Sequence, residues 1–387
     1  MRVLFIAGEY APSQGGLGDF TRELGKALIA QGHEVHVLTG ALPAQPAHEA
    51  APGLPEVHRL ARGWGWGSWQ TVSAITQKLK PDALNLQYQA AAYAMHPAAN
   101  LLPWRMKNVA PLAVTFHDLR APYLFPKAGP VRWQSMLAMA RHARASIVTN
   151  AEDEATLGAA HVPHVHRIPI GSNITPVALP AFDAAAWKKT RGIPAEVNLF
   201  GYFGFLNESK GGETLIRALA DLRGRGENVG LLHIGGKTGT SDPTNAAYAQ
   251  KLDALAESLG VKPFVFETGF VDDRGVSEAF AACFCAALPY RDGASFRRGT
   301  IMAAFAHGAA IITTTPRVPL PELSDGQNVL LVPPDEPAKL ADALQRVLRD
   351  DVLRARLQAG SSQLHHLFGW DEIARQTAQV FAAAGRP

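Results

Sequence analysis

The chain has 387 residues, 47% of them hydrophobic and 18% charged, with a formal net charge of +3. Its length favours two domains over one and its apolar content argues against disorder. The small charge gives no whole-protein case for nucleic acid, so no nucleic-acid partner is expected.

In chain order, Val3 to Ala7 is a continuous apolar run of strand length. A turn with Pro12, Gly15 and Gly16 follows, and then Leu17, Phe20, Leu24 and Leu28 recur at helical spacing. After Gly32-His33, Val35 to Leu38 supplies a second strand, which completes a βαβ unit and predicts a parallel sheet. The start lacks the apolar region and cleavage site of a signal peptide, and no stretch approaches the ~20 apolar residues of a membrane span. A cytoplasmic location is therefore expected. Gly15, Gly16 and Gly18 open the helix, where backbone amides and the helix dipole favour a phosphate. The dinucleotide fingerprint would require glycine at Thr21 and an acid where the second strand ends in Leu38-Thr39, so NAD is disfavoured.

Trp64, Trp66 and Trp69 lie among glycines, as a sugar-stacking loop or a packed turn. Residues 101–145 carry seven Lys/Arg against the single acid Asp118, interleaved with Trp104, Tyr123, Phe125 and Trp133. Such a face suits anionic lipid at the inner membrane surface or a phosphorylated acceptor, with a solvated helix face as the plain alternative. Thr115-Phe116-His117-Asp118 ends an apolar run with a histidine beside a carboxylate, which suits proton transfer or the holding of a sugar hydroxyl.

Pro163, Pro169, Pro176, Pro180 and Pro194 make residues 163–195 read as an interdomain connection, with a boundary near 180. The strand–loop–helix–strand order then returns: Leu199 to Phe203, Gly204 to Gly212, Leu215 to Leu222, Val229 to Ile234. Gly235-Gly236-Lys237-Thr238 lacks the upstream glycine of a P-loop and reads as an ordinary connection. Asp272-Asp273 reads as a solvated loop or cap, and there is no Asp-x-Asp pair. No metal cofactor is expected, so a diphosphate's leaving charge must be met by basic side chains and helix N-termini. Cys283 and Cys285 read as free thiols on one face of a strand. From Leu288 to Thr300 a strand end runs into a helix and brings Arg297 and Arg298 to its N-terminus, beside Gly299 and Thr300. Two cations there oppose the helix dipole unless an anion joins them. Asp371 to Ala384 is a last amphipathic helix.

Together these motifs resemble the family-4-type retaining glycosyltransferases of GT-B fold over nearly the whole chain. The likeness is carried by Gly15-Gly16, Gly32-His33, Thr115 to Asp118, Lys210-Gly211, Pro321-Glu322, Asp325 to Val332 and Trp370, in that order. The resemblance implies two Rossmann-like domains: an acceptor domain at 1–180, a nucleotide-sugar donor domain at 181–370, and a helix at 371–387 crossing back. It implies a nucleotide-diphosphate sugar as donor substrate, a glycan, lipid-linked or small-molecule acceptor, and retention of configuration. Donor binding falls to Gly15, Gly16, Gly204, Lys210, Ser295, Arg297, Arg298, Gly299 and Thr300, and catalysis to His117, Asp118 and Asp292.

The departures cluster at the donor site. Phe205 stands where the family usually has an arginine, and the family's two glutamates fall at Ser295 and Ala303 when counted back from Gly308. Counted forward from Pro289, Asp292 comes near the first. Arg297 or Arg298 is expected to replace the missing charge, and Asp292 or Ser295 the first glutamate. The substitutions leave two other classes open, a silent GT-B scaffold that binds nucleotide sugar or glycan, and a nucleotide-sugar epimerase.

Overall fold

The computed structural model describes residues 1–13, 15–119, 129–236 and 243–385. Lys237, Thr238 and, in the basic region, Arg120, Tyr123, Phe125 and Lys127 lie outside the described residues. The chain divides into two compact units, Met1–Asn173 with Leu367–Pro387, and Ile174–His366.

The first unit is built on strands β1 (Arg2–Ala7), β2 (Glu34–Gly40), β3 (His48–Glu49), β4 (Glu56–Ala61), β5 (Ala83–Tyr88), β6 (Leu112–Phe116), β7 (Ala145–Val148) and β8 (Val165–Arg167), in the sheet order β3-β4-β2-β1-β5-β6-β7-β8. All the pairings are parallel except that of β3 with β4. Side chains alternate along each strand, so Leu4 and Ile6 join one core with Leu86, Val114 and Met139, and Val3 and Phe5 join another with Leu24, Val37 and Phe381. A sheet covered on both faces explains the unbroken apolar runs in the sequence.

The helix Trp370–Ala384 packs into the second of these cores through Ile373, Val380 and Phe381. Its first residue fixes the return of the chain. Trp370 Nε1 donates to the Ser172 carbonyl at 2.6 Å, and its ring stands edge-on to Phe20, with centroids 5.4 Å apart. A Cβ on Gly171 would lie 2.6 Å from that ring, so only glycine leaves room for it.

The second unit carries β9 (Asn198–Phe203), β10 (Val229–Ile234), β11 (Val265–Glu267), β12 (Cys283–Leu288), β13 (Ile311–Thr314) and β14 (Leu330–Val332), all parallel, in the order β11-β10-β9-β12-β13-β14. The units meet in sequence at Asn173 and Ile174, and the chain re-enters the first at Leu367, a few residues before the position 180 read from composition and the position 370 implied by the resemblance. The proline-rich stretch is not a bare connection: it contains β8 and a helix, Ala184–Thr190, capped by Asp183, whose Oδ1 accepts from the amides of Ala185 and Ala186 at 2.9 and 3.0 Å. Its prolines punctuate short elements without abolishing them. Cys283 and Cys285 are both free, as expected, but the register shifts between them, so β12 bulges there and the simple alternation fails. Burial pushes both thiols well above the usual range.

Candidate active site

In the second unit, β9 leads through β10 to β11 on one side, whereas β12 leads through β13 to β14 on the other. The direction of winding reverses between β9 and β12, and the loops leaving a parallel sheet at such a point splay apart into a ligand-binding crevice. These two loops, with the first turn of the helix Gly299–Ala306, hold every donor-binding residue expected in this half of the chain. Gly211 has φ +73°, and a Cβ there would lie 2.0 Å from the Pro289 carbonyl oxygen. The Arg291 amide donates to the Ser209 carbonyl at 2.9 Å, tying the same loops together. Gly204, with φ +108°, brings the first loop against Thr300, whose Cγ2 would be 2.5 Å from an added Cβ.

Positive charge gathers at this junction. Lys210 Nζ donates to the Phe205 carbonyl at 2.8 Å, and burial first, then the nearby Arg298, lowers its pKa to about 8. Arg298 lies over the Tyr290 ring at 4.4 Å, reaches Ser209 Oγ at 3.5 Å and pairs with the Asp292 carboxylate. The Tyr290 hydroxyl meets Thr300 Oγ1 at 2.6 Å. The helix Gly299–Ala306 starts here with no side-chain cap and no acid in its first turn, so its leading amides are available to an anion. Ser295 Oγ accepts from the Arg297 amide at 3.3 Å, which bends the chain into that helix. Phe205 is 46% exposed and offers the site only its carbonyl, while Ala303 is fully buried in the core. The position counted back from Gly308 therefore presents an enclosed methyl group and no carboxylate.

The structure ties two of the expected residues to each other. Asp292 is the expected stand-in for a sugar-touching glutamate and Arg298 an expected phosphate ligand, yet they form one ion pair. An incoming diphosphate must compete with Asp292 for Arg298. Changing Asp292 to Asn is therefore expected to tighten nucleoside-diphosphate binding about threefold, in the range of a partly exposed ion pair, as read by calorimetry. Unchanged or weaker binding would count against the competition.

In the first unit the winding reverses between β1 and β5. A Cβ on Gly8 would lie 2.4 Å from the Ala92 carbonyl oxygen, so the loops after these strands also touch. Gly15 is extended, at φ −179°, and stands at the N-cap of the helix Gly16–Ala30. The Glu9 carboxylate lies 2.2 Å from where a Gly15 Cβ would be, whereas Gly16 faces open space. Glu9 escaped the sequence reading; its only signal is a carboxylate two residues past the first strand. It places negative charge beside the glycine loop read as a phosphate site.

His117 Nε2 lies 2.7 Å from Gln87 Oε1, and the Gln87 amide nitrogen donates to Asn85 Oδ1. Because Gln87 Oε1 can only accept, His117 carries its proton on Nε2 and keeps a lone pair on Nδ1. Burial lowers its pKa to about 4, so it is neutral at pH 7. Phe20 packs edge-on to the ring, centroids 4.7 Å apart. Asp118 follows directly in the chain, and burial is the cause of the lowered imidazole pKa. His117, Asp118, Gly15 and Gly16 thus belong to the first unit, and Gly204, Lys210, Asp292, Ser295, Arg297, Arg298, Gly299 and Thr300 to the second.

The remaining motifs have mostly structural roles. Trp64 and Trp69 are packed, donating to the Gly8 and Ala98 carbonyls at 3.3 and 2.9 Å, while Trp66 is 49% exposed. In the basic region Trp104 is exposed, and Arg141 donates to the Ala160 carbonyl at 3.1 Å. Asp272 caps the helix Asp273–Ala281, accepting from the Gly275 amide at 2.8 Å. Among the described residues no helix is long and apolar enough to cross a membrane.

Comparison with known proteins matches residues 14–175 to the family described as Glycosyltransferase Family 4 and residues 197–350 to that described as Glycosyl transferases group 1. A D-inositol 3-phosphate glycosyltransferase of Xylanimonas cellulosilytica is 28% identical, over 96% of this chain and 92% of that protein. Among solved structures, sucrose-phosphate synthase from Thermosynechococcus elongatus aligns with a TM-score of 0.76 at 22% identity, covering 98% of each chain. HepE of Anabaena, solved in complex with UDP, aligns with a TM-score of 0.73 at 19% identity, over 99% of this chain and 100% of that one. The doubly wound sheets are thus shared with sucrose-phosphate synthase and with HepE.

Proposed function

We propose that this chain, which belongs to the family 4 and group 1 glycosyltransferases of GT-B fold, moves a sugar from a nucleoside-diphosphate donor onto a phosphorylated polyol or sugar, with retention of configuration and without a metal ion. One observation carries the donor half: a half-buried lysine, Arg298 and an uncapped helix N-terminus converge where β9 and β12 diverge. During transfer the bond from the anomeric carbon to the β-phosphate oxygen breaks, a bond to the acceptor hydroxyl forms, and that hydroxyl gives up its proton. The departing diphosphate gains negative charge, which Lys210, Arg297, Arg298 and the amides of Gly299 and Thr300 stabilise. His117 is neutral and has its Nδ1 lone pair to accept from a sugar hydroxyl, so its part is positioning.

The names of similar proteins support a UDP-type donor and a phosphorylated acceptor. One is named for D-inositol 3-phosphate, another makes sucrose phosphate, and a third was solved with UDP. The test is a transfer assay with UDP- and GDP-linked sugars, offering inositol 3-phosphate and hexose phosphates against the same acceptors without phosphate. Transfer confined to the phosphorylated set is expected, and equal transfer to both would defeat the acceptor assignment. Proton NMR of the product reports the anomeric configuration, and an inverted product would defeat retention. Activity that survives EDTA is expected and supports the metal-free reading.

A pH dependence follows from Lys210. Its pKa in the empty site is about 8, and a bound diphosphate favours the charged form. Below pH 8 the ammonium is already present and affinity is flat. Above pH 8 the lysine must take up a proton on binding, so the dissociation constant for UDP rises by up to about tenfold per pH unit. Calorimetry between pH 6.5 and 9.5 is expected to show this bend, and Lys210→Met is expected to remove it.

A further inference from the structure

We propose that His36, Glu56 and His58 form a binding site for a Zn2+-type transition-metal cation at the edge of the first unit's sheet. β2 and β4 pair in parallel with His36 opposite Glu56 and Leu38 opposite His58, so all three side chains project from one face. Taking one ligand atom from each residue, they form a triangle whose corners all lie within 4.8 Å of one another. His36 Nδ1 is 3.2 Å from His58 Nε2, Glu56 Oε2 is 3.7 Å from His36 Nδ1, and Glu56 Oε1 is 3.6 Å from His58 Nε2. A tetrahedral cation with bonds of about 2.0–2.1 Å holds its ligand atoms roughly 3.4 Å apart. The two nitrogens already stand close to that spacing, and a turn of the Glu56 carboxylate brings one oxygen toward both without rearrangement of the strands.

The outer contacts support the same reading. His36 Nε2 is 2.9 Å from Glu34 Oε1, and Glu34 is held by Arg2 at 2.8 Å. That carboxylate keeps the His36 proton on Nε2 and aims the Nδ1 lone pair at the triangle, as the outer partner of a metal-bound histidine does. Both rings are buried, with His36 2% and His58 5% exposed, so they are already ordered. Glu56 is partly exposed and gives a cation access from solvent. His48, opposite His58 on β3, is 2.5 Å from Glu56 Oε1 and orients that carboxylate, with water completing the coordination. Two imidazoles and a carboxylate suit Zn2+, Co2+ or Ni2+ far better than Mg2+ or Ca2+. Bound there, the cation would pin the two-residue β3 to the sheet.

The test uses untagged full-length protein, stripped with chelator and titrated with Co2+ and then Zn2+. One equivalent of Co2+ per chain is expected to give the strong visible absorption of a tetrahedral site, which Zn2+ then bleaches. Glu56→Gln and His58→Asn should each abolish the band, and Glu34→Gln, which leaves every ligand in place, should weaken affinity about 10- to 100-fold. Because His58→Asn changes a buried ring, thermal unfolding accompanies it, and the partly exposed Glu34 and Glu56 variants keep the test open if it misfolds. Absence of a visible band, or a band unchanged in Glu56→Gln and Glu34→Gln, would overturn the proposal. The readout is independent of sugar transfer, so it does not depend on the proposed reaction.

Discussion

Replacing Lys210 with methionine is expected to lower the rate of sugar transfer by about 100- to 1000-fold, the effect of removing one aimed charge from a developing anion. Methionine fills most of the space of the lysine stem, so the change removes charge with little loss of packing. The loss should be large because Phe205 stands where an arginine is expected, and the loop after β9 then brings only Lys210 to the diphosphate. Arg298 already serves the diphosphate in competition with Asp292, so it has no spare charge to replace the lysine. Steady-state kinetics should show the fall mainly in kcat, with weaker UDP binding by calorimetry and an unfolding temperature close to that of the unchanged protein. Transfer within a few-fold of the original would remove Lys210 from the reaction and with it the donor assignment.

Arg297 and Arg298 stood out in the sequence because two cations at a helix N-terminus conflict with local preference unless an anion resolves it, whereas Lys210 was singled out by the family resemblance. The parallel sheets were legible for a similar reason: uninterrupted apolar runs such as Val3 to Ala7 demand cover on both faces. Strand order was not, since nothing along the chain says that β12 returns to lie beside β9. The pairing of Asp292 with Arg298 and the placing of Glu9 against Gly15 depend on loop conformations that spacing does not encode. The cluster of His36, Glu56 and His58 was hidden too, because its members lie on strands more than fifteen residues apart and become neighbours only through the register of β2 and β4. Composition also misled over residues 163–195, where prolines flank β8 and the helix at Ala184–Thr190 instead of excluding them.

A second large effect is expected at a residue that touches no substrate. Both units place a glycine in the loop after their first strand against the backbone of the loop across the winding reversal, Gly8 against Ala92 and Gly211 against Pro289. Gly211 carries two constraints at once, a φ of +73° and a Cβ position 2.0 Å from a carbonyl oxygen that has no freedom to swing away. Gly32 carries only the first, with φ +81° and nothing within 4 Å. Gly32→Ala is therefore expected to destabilise by about 1 kcal/mol, and Gly211→Ala by roughly 3 kcal/mol once the enforced separation of the loops is added. For a unit of this size the latter lowers the unfolding temperature by about 10 °C. Since separating the loops also moves Lys210 away from Arg298, Gly211→Ala should weaken UDP binding at temperatures where it remains folded, whereas Gly32→Ala should leave binding alone. Scanning calorimetry with and without UDP measures both effects. Equal losses from the two substitutions would mean that the loops after β9 and β12 do not meet at Gly211, and the crevice that gathers the charge would have to be sought elsewhere.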